Sequence, residues 1–180
     1  MVAGKKEIAE EIGFIQNAFG AILGPQDSWL LLRGLKTLKV RLDQHQKSAH
    51  KIAVWLQNHP AVKRVYYPGL PEHPGHELAA KQAAGFGGVL SFMLHNVEQV
   101  ERFLRNVTLP ALAVSLGAVE SILTYPARMS HASIPEADRK KMGITDTLLR
   151  LSVGLEEPDD LIQDLEQALQ CSVSSSNYVS

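Results

Sequence analysis

The sequence contains one cysteine, Cys171, which excludes a disulfide within the chain and a zinc site built from several cysteines. It has no run of about 18 apolar residues, the length that a transmembrane helix needs, and its N-terminus lacks the apolar core of a secretion signal. The formal net charge of −1 gives no sign of a nucleic-acid or membrane-surface partner. These absences predict a cytoplasmic protein that binds neither nucleic acid nor membrane.

Motifs for metal, phosphate and serine-nucleophile chemistry are also missing. Seven histidines are present, but their spacing does not suit a metal: His45 and His50 would point to different sides of a helix, so no metal site is predicted. Gly85–Gly88 precedes a predicted strand and does not open a helix, which argues against a phosphate-binding loop. Ser115 lacks the flanking glycines of a nucleophile elbow.

What is present is an alternation of helical and extended patterns that predicts an α/β fold, an α+β sandwich. A leucine stripe predicts one helix over residues 27–58, begun by Asp27 or Ser28 and roughly 48 Å long. That length exceeds what one domain needs, so part of the helix is expected to pack on other material. Residues 59–170 are expected to form a small, mostly antiparallel sheet with helices on one face, and 171–180 a disordered tail.

Short elements are predicted within this domain. Strands are expected at 62–67, 89–94, 112–114, 121–125 and around Arg150, and helices at 77–84, 97–106 and 158–170. Ser133 and Glu136 have the spacing of a capping box, which predicts a further helix that ends at Gly143.

Arg150 lies among the apolar strand residues of Leu148–Glu156. A guanidinium is always charged and is rarely taken into an apolar setting without an anionic partner. Its planar donors fit a carboxylate in a bidentate way, so one interpretation is that Arg150 binds a ligand that carries a carboxylate. The alternatives are that the side chain reaches solvent or pairs with a structural acid such as Asp146.

Three segments together resemble the C-terminal domain of the Cys/Met-metabolism family of pyridoxal-phosphate (PLP) enzymes. They are Ala-Val-Ser-Leu-Gly-Ala-Val-Glu-Ser at 113–121, Tyr-Pro-Ala-Arg-Met-Ser-His-Ala-Ser at 125–133, and the strand of Arg150. Residues 14–17, 23–38 and 65–70 extend the resemblance from Val2 to about Leu169. It implies the small C-terminal domain of a fold-type I PLP enzyme. Residues 1–26 would then be the end of the large PLP-binding domain, and 27–58 a linking helix.

The resemblance also implies roles for individual residues. Arg150 would bind the α-carboxylate of the amino-acid substrate. Ser115, a substrate- and cofactor-binding residue, would lie beside the cofactor-bearing lysine and help to orient it against the substrate. Val114 would line the substrate site where several family members carry a glutamate that goes with γ-elimination or γ-replacement, so the valine favours a cystathionine β-lyase. Ser130, with Met129, would border the substrate pocket.

The Schiff-base lysine of the family has no counterpart in this sequence, because it would precede the first residue and Lys5 and Lys6 stand in no matching context. No catalytic residue is therefore predicted, and the chain alone, a fragment, truncated product or piece of a split enzyme, is expected to be inactive and not to bind PLP covalently. The whole enzyme would be a homotetramer that cleaves cystathionine to homocysteine, pyruvate and ammonia. Two alternatives stay open: γ-synthase, γ-lyase or methionine γ-lyase chemistry, and a non-catalytic module that docks on full-length subunits.

Overall fold

The computed structural model describes residues 4–173 and divides into two units, with the boundary after Lys39. The first unit contains helix α1 (Lys6–Phe19) and helix α2 (Pro25–Leu35). Helix α1 ends at Gly20, whose left-handed φ of 69° lets its N–H donate to the Gln16 carbonyl. Neither helix buries a residue: Phe14 and Phe19 are 74% and 84% exposed. The described residues of the first unit therefore form no core of their own.

The single helix predicted over 27–58 is wrong, because the chain forms two helices there. Helix α2 ends at Leu35, and helix α3 runs over Leu38–Gln57. Between them the amides of Lys36 and Thr37 donate to carbonyls three residues back, and Gly34, a weak helix former, stands just before the break. The predicted cap is also wrong, since α2 begins at Pro25 with Gly24 as its N-cap and no side-chain cap.

The second unit is built on a five-stranded sheet within the described residues. Its strands are β1 (Val62–Tyr66), β2 (Val89–Leu94), β3 (Ala111–Leu112), β4 (Ile122–Thr124) and β5 (Leu148–Ser152). The spatial order is β1-β2-β5-β4-β3, and every neighbouring pair is antiparallel except β3 and β4. The predicted α/β fold with a mostly antiparallel sheet is confirmed.

Helices cover one face of this sheet and form the core with it. These helices are α3, α5 (Val97–Asn106) and α7 (Pro158–Val173), while the shorter helices α4 (His76–Gln82) and α6 (Glu136–Lys141) contribute no residue to the core. Alternate residues of β2 and β5 face α3, α5 and α7, because successive strand side chains point to opposite faces. The shared core contains Ile52, Leu56, Leu90, Phe92, Phe103, Leu149, Leu151, Leu161 and Leu165. Within residues 4–173, none of the helices combines the length and the apolar composition of a membrane-spanning helix.

Two predicted helix ends in this unit need correction. Ser133 does not cap α6, which begins at Glu136 with Pro135 as its N-cap and no side-chain hydrogen bond. Helix α7 continues to Val173, so Cys171 is helical and does not belong to a disordered tail. Residues 174–180 of the predicted tail lie outside the described residues.

Asp164 joins α7 to the segment that enters β3. Its carboxylate accepts hydrogen bonds from the backbone amides of Thr108 and Leu109, each at 2.9 Å, and from the Thr108 hydroxyl at 2.5 Å. Burial alone would raise the pKa of this carboxyl, but the hydrogen bonds outweigh burial and hold the pKa below its usual value. The start of β3 is therefore fixed against α7.

Tyr67 is expected to make the free energy of unfolding of the second unit depend on pH in the alkaline range. Its buried hydroxyl donates to the Gly87 carbonyl at 2.9 Å, and burial raises the pKa of Tyr67 to about 12. The folded state therefore holds this proton more tightly than the unfolded state. Below the ordinary pKa of tyrosine both states are protonated, so the free energy of unfolding does not change with this group. Above it, the free energy of unfolding is expected to fall by about 1.4 kcal/mol per pH unit until the folded pKa is reached.

Urea unfolding of the parent and of Tyr67→Phe at neutral pH and at about pH 11 checks this expectation. At neutral pH the variant should be less stable by about 1 kcal/mol, since it lacks the hydrogen bond to Gly87. At alkaline pH the difference should shrink. An equal loss of stability in both proteins would contradict the assignment of this pH dependence to Tyr67.

Candidate functional site

Arg150 is the centre of a row of polar residues on the sheet face that lies away from the core. In the register of the sheet it pairs with Ser91 of β2 on one side and with Thr124 of β4 on the other. Its neighbours Leu149 and Leu151 are fully buried on the core face. The alternation of strand side chains therefore turns Arg150 away from the helices.

The guanidinium of Arg150 is held by neutral acceptors. Its Nη2 donates to the carbonyl oxygens of Val114 and Ser115, at 3.1 and 2.9 Å, and to Thr124 Oγ1 at 2.9 Å. The alternative pairing with Asp146 is wrong, because that carboxylate lies 2.5 Å from Arg139 Nη2. The interactions of Arg150 with neutral groups orient the guanidinium but leave its charge uncompensated.

Two further observations concern the partners and the accessibility of Arg150. Among residues 4–173 no carboxylate forms an ion pair with it, and its buried Nε has no hydrogen-bond partner. The residue is half-buried, so part of it stays accessible on the open face of the sheet. A half-buried guanidinium with an unused Nε–H donor is suited to a carboxylate, which a guanidinium can bind through two parallel hydrogen bonds.

Residues 113–121, here called the site loop, lie over this part of the sheet. The loop brings Val114 and Ser115 to Arg150 through their backbone carbonyls, while both side chains are exposed. The Ser115 hydroxyl forms no hydrogen bond with any described residue. In the middle of the loop Gly117 has a φ of 79° and donates its N–H to Ser152 Oγ at 2.9 Å.

Ser130 is not joined to Arg150 by any contact in the described part of the chain. It lies in the turn after the 3₁₀ turn Pro126–Arg128, where its exposed hydroxyl bonds to His131 Nδ1 at 2.8 Å. Met129 packs against the core, and its sulfur accepts from the Tyr125 amide. The role of Ser130 at the substrate pocket remains a prediction from the resemblance.

A buried network supports the segment that carries Ser130, and sequence reasoning missed it. Arg139 is buried and bonds to Asp146 and to the Ala127 carbonyl, while the Tyr125 hydroxyl donates to the Asp146 carbonyl at 2.7 Å. Burial raises the pKa of Tyr125, so its hydroxyl keeps its proton and remains a donor at neutral pH. This network fixes the backbone of 125–128 beside β5.

The lysines of the described residues do not fit the covalent attachment of a cofactor. All of them are exposed, and several form surface pairs, such as Lys51 with Asp159 and Lys140 with Glu136. An activated lysine amine needs a desolvated or electropositive setting that lowers its pKa. Within the same residues no three His, Cys, Asp or Glu side chains come together as a metal site.

Comparison with known proteins gives close relatives over almost the whole chain. The family model described as Cys/Met metabolism PLP-dependent enzyme matches residues 1–170. Cystathionine beta-lyase MetC of Bacillus subtilis (strain 168) is 59% identical over 165 residues, which are 92% of this chain and 42% of that protein. Cystathionine gamma-lyase of the same strain is 55% identical over 170 residues, 94% of this chain and 45% of that protein.

A solved structure is also similar to the chain in fold. Cystathionine gamma-lyase from Lactobacillus plantarum, complexed with L-serine, has a TM-score of 0.89 and 45% identity, covering 94% of this chain and 45% of that chain. The chain therefore spans less than half the length of each of these relatives.

Proposed function

Because the chain belongs to the Cys/Met metabolism family of PLP-dependent enzymes, we propose that it is the substrate-carboxylate-binding part of a carbon–sulfur lyase. The observation that carries the proposal is the Arg150 guanidinium, which the described residues leave without an anionic partner. The reaction proposed for the whole protein is that of a cystathionine β-lyase, which yields homocysteine, pyruvate and ammonia.

In this function Arg150 acts by orienting the substrate. PLP, when bound, supplies an electron sink for the pair released when the substrate loses its α-proton. Arg150 would donate hydrogen bonds to the α-carboxylate, while the Val114 and Ser115 carbonyls and the Thr124 hydroxyl prevent rotation of the guanidinium. Holding one end of the substrate fixes the position of its α-carbon, and such positioning is a major source of rate enhancement.

Val114 supports the β-lyase reaction over the γ reactions. Its side chain is 57% exposed on the site loop and offers no acceptor for the distal amino group of cystathionine. Sequence identity does not separate the two reactions, since 59% identity to a β-lyase stands beside 55% to a γ-lyase. The γ-synthase, γ-lyase and methionine γ-lyase reactions are therefore the second proposal.

We propose further that the chain is inactive alone, because no described lysine has the setting of a cofactor-bearing lysine. Residues equivalent to the remainder of the relatives would supply that lysine and the other cofactor contacts. The exposed apolar side chains of α1 and α2 also favour contact with further protein, as in a homotetramer of whole subunits. A non-catalytic module that docks on full-length subunits would use the same surfaces.

A chimera tests these proposals. The matching C-terminal part of Bacillus subtilis MetC is replaced by this chain, and the purified protein is loaded with PLP and given L-cystathionine. We expect pyruvate and homocysteine at a turnover comparable to that of the parent MetC, which serves as the control. The chain alone should give no product.

Each other outcome of the chimera experiment selects one alternative. Release of cysteine and a four-carbon oxo acid, which follows cleavage at the γ-carbon, would replace the β-lyase reaction by a γ reaction. A folded chimera that retains PLP but forms no product would overturn the enzymatic proposal in favour of a non-catalytic module.

A further inference from the structure

The site loop lies beside residues 150–156, here called the anchor segment, which consist of the end of β5 and the residues that follow it. Both run in the same direction, and they are joined at successive points. Arg150 bonds to the carbonyls of Val114 and Ser115 at the first point, and Ser152 Oγ accepts from Gly117 N at the next. The Leu155 amide then donates to the Val119 carbonyl at 2.7 Å. The anchor segment therefore holds the loop along its length.

Glu156 holds the C-terminal end of the site loop, at Ser121. Its Oε1 accepts from the Ser121 amide at 2.6 Å and its Oε2 from the Ser121 hydroxyl at 2.8 Å. The same hydroxyl oxygen accepts from the Gly154 amide at 2.8 Å. Ser121 is fully buried, and hydrogen bonds to an ionised carboxylate are stronger than those between neutral groups. This is the charged anchor of the loop.

We propose that Glu156 is a positioning residue that, by holding Ser121, sets the site loop so that Arg150 is aimed at the substrate carboxylate. The inference rests on the proposed carboxylate-binding function of Arg150. Two of the three acceptors that orient the guanidinium are carbonyls of the site loop, so a displaced loop moves these acceptors. An arginine without fixed acceptors regains rotamer freedom, which a ligand must then remove at a cost in affinity.

The test uses nuclear magnetic resonance of the full chain, with Arg150 Nε–H as the reporter. This group is buried and has no hydrogen-bond partner, so its exchange with solvent depends on how well the guanidinium is held in place. L-Serine is the probe for carboxylate binding, and ethanolamine, which is L-serine without its carboxylate, is the control ligand. In the parent chain, the Arg150 Nε–H signal should change when L-serine is added and should not change when ethanolamine is added.

The variant is Glu156→Gln, which keeps the size of the side chain but replaces one acceptor oxygen by an amide nitrogen that cannot accept. The matched control is Glu157→Gln, which makes the same charge change on the exposed neighbouring side chain. We expect Glu156→Gln to speed exchange at Arg150 Nε–H and to weaken L-serine binding, each by about tenfold, the effect of one hydrogen bond to a charged group. The control variant should change neither.

Ser152→Ala keeps the proposal testable if Glu156→Gln does not fold, because it removes the bond to Gly117 and leaves Glu156 unchanged. We expect faster exchange at both Gly117 and Arg150 in this variant. Unchanged exchange at Arg150 in the folded variants would overturn the positioning role alone. Failure of the parent chain to respond to L-serine would instead overturn the proposed carboxylate site, whatever the exchange rates show.

Discussion

Replacing Arg150 with lysine in the active chimera should lower kcat/KM for cystathionine by more than 100-fold, a loss of about 3 kcal/mol, as expected when one partner of a desolvated charge pair is changed. Lysine keeps the positive charge but presents a compact ammonium in place of the planar fork. It cannot bond at once to the Val114 and Ser115 carbonyls, to Thr124 and to a carboxylate. The expected loss of kcat/KM is therefore caused by the changed geometry of the side chain, because its charge stays the same.

The matched control for this experiment is Arg64→Lys, an exposed arginine on the edge strand β1 that lies over the Tyr66 ring. The kcat/KM of the Arg64→Lys chimera should equal that of the unmodified chimera. Both variants should show the same retention of PLP, since neither arginine is proposed to hold the cofactor. An Arg150→Lys chimera with unchanged kcat/KM would show that Arg150 is a structural residue of the loop and not the carboxylate ligand.

Gly154→Ala is expected to destabilise the second unit by about 3 kcal/mol, the upper end of the cost of overpacking. A Cβ at this position would clash with Glu156 Oε2 and would lie 2.5 Å from both the Glu120 carbonyl carbon and Ser121 N. Two of these atoms are backbone, so relief requires the end of the site loop to move. The free energy of unfolding in urea measures the loss of stability, and amide exchange at Ser121 measures the loosened contact.

Gly13→Ala is the matched control, because a Cβ there meets nothing within 4 Å and the residue lies inside α1. Alanine in a helix interior is favoured over glycine, so no loss of stability is expected. A Gly154→Ala protein with the stability of the parent would contradict the close approach of the loop to residue 154. It would also weaken the case for Glu156 as its anchor.

Local patterns predicted the elements whose burial is periodic. The bounds of β2 and α5 agree with the structure at both ends, because Leu90, Phe92 and Leu94 alternate into the core while Val100 and Phe103 lie on one helix face. The leucine stripe of α2 and α3 misled the prediction because it continues across the break, where the backbone after Gly34 departs from the helix. Hydrophobic periodicity reports which side is apolar, not whether the backbone is continuous.

The site could be predicted only in part, for a related reason. A charged residue on an apolar strand identified Arg150, and the family resemblance identified the loop that contains Val114 and Ser115. The contacts between Ser121 and Glu156 join residues 35 positions apart in the sequence. A serine and a glutamate at that separation form no local pattern. One signal of the contacts between β5 and the site loop was present in the sequence: Ser152 follows Arg150 by two residues, so both side chains lie on the same face of the strand.

Both edges of the sheet discourage the addition of another strand. Edge β1 has an irregular register between Val62 and Arg64, and its exposed Lys63 and Arg64 would meet any incoming chain with charge. The opposite edge, β3, is two residues long and too short to template a ladder. The two edges of the sheet therefore do not favour amyloid-like association, although the sheet face around Arg150 is partly open.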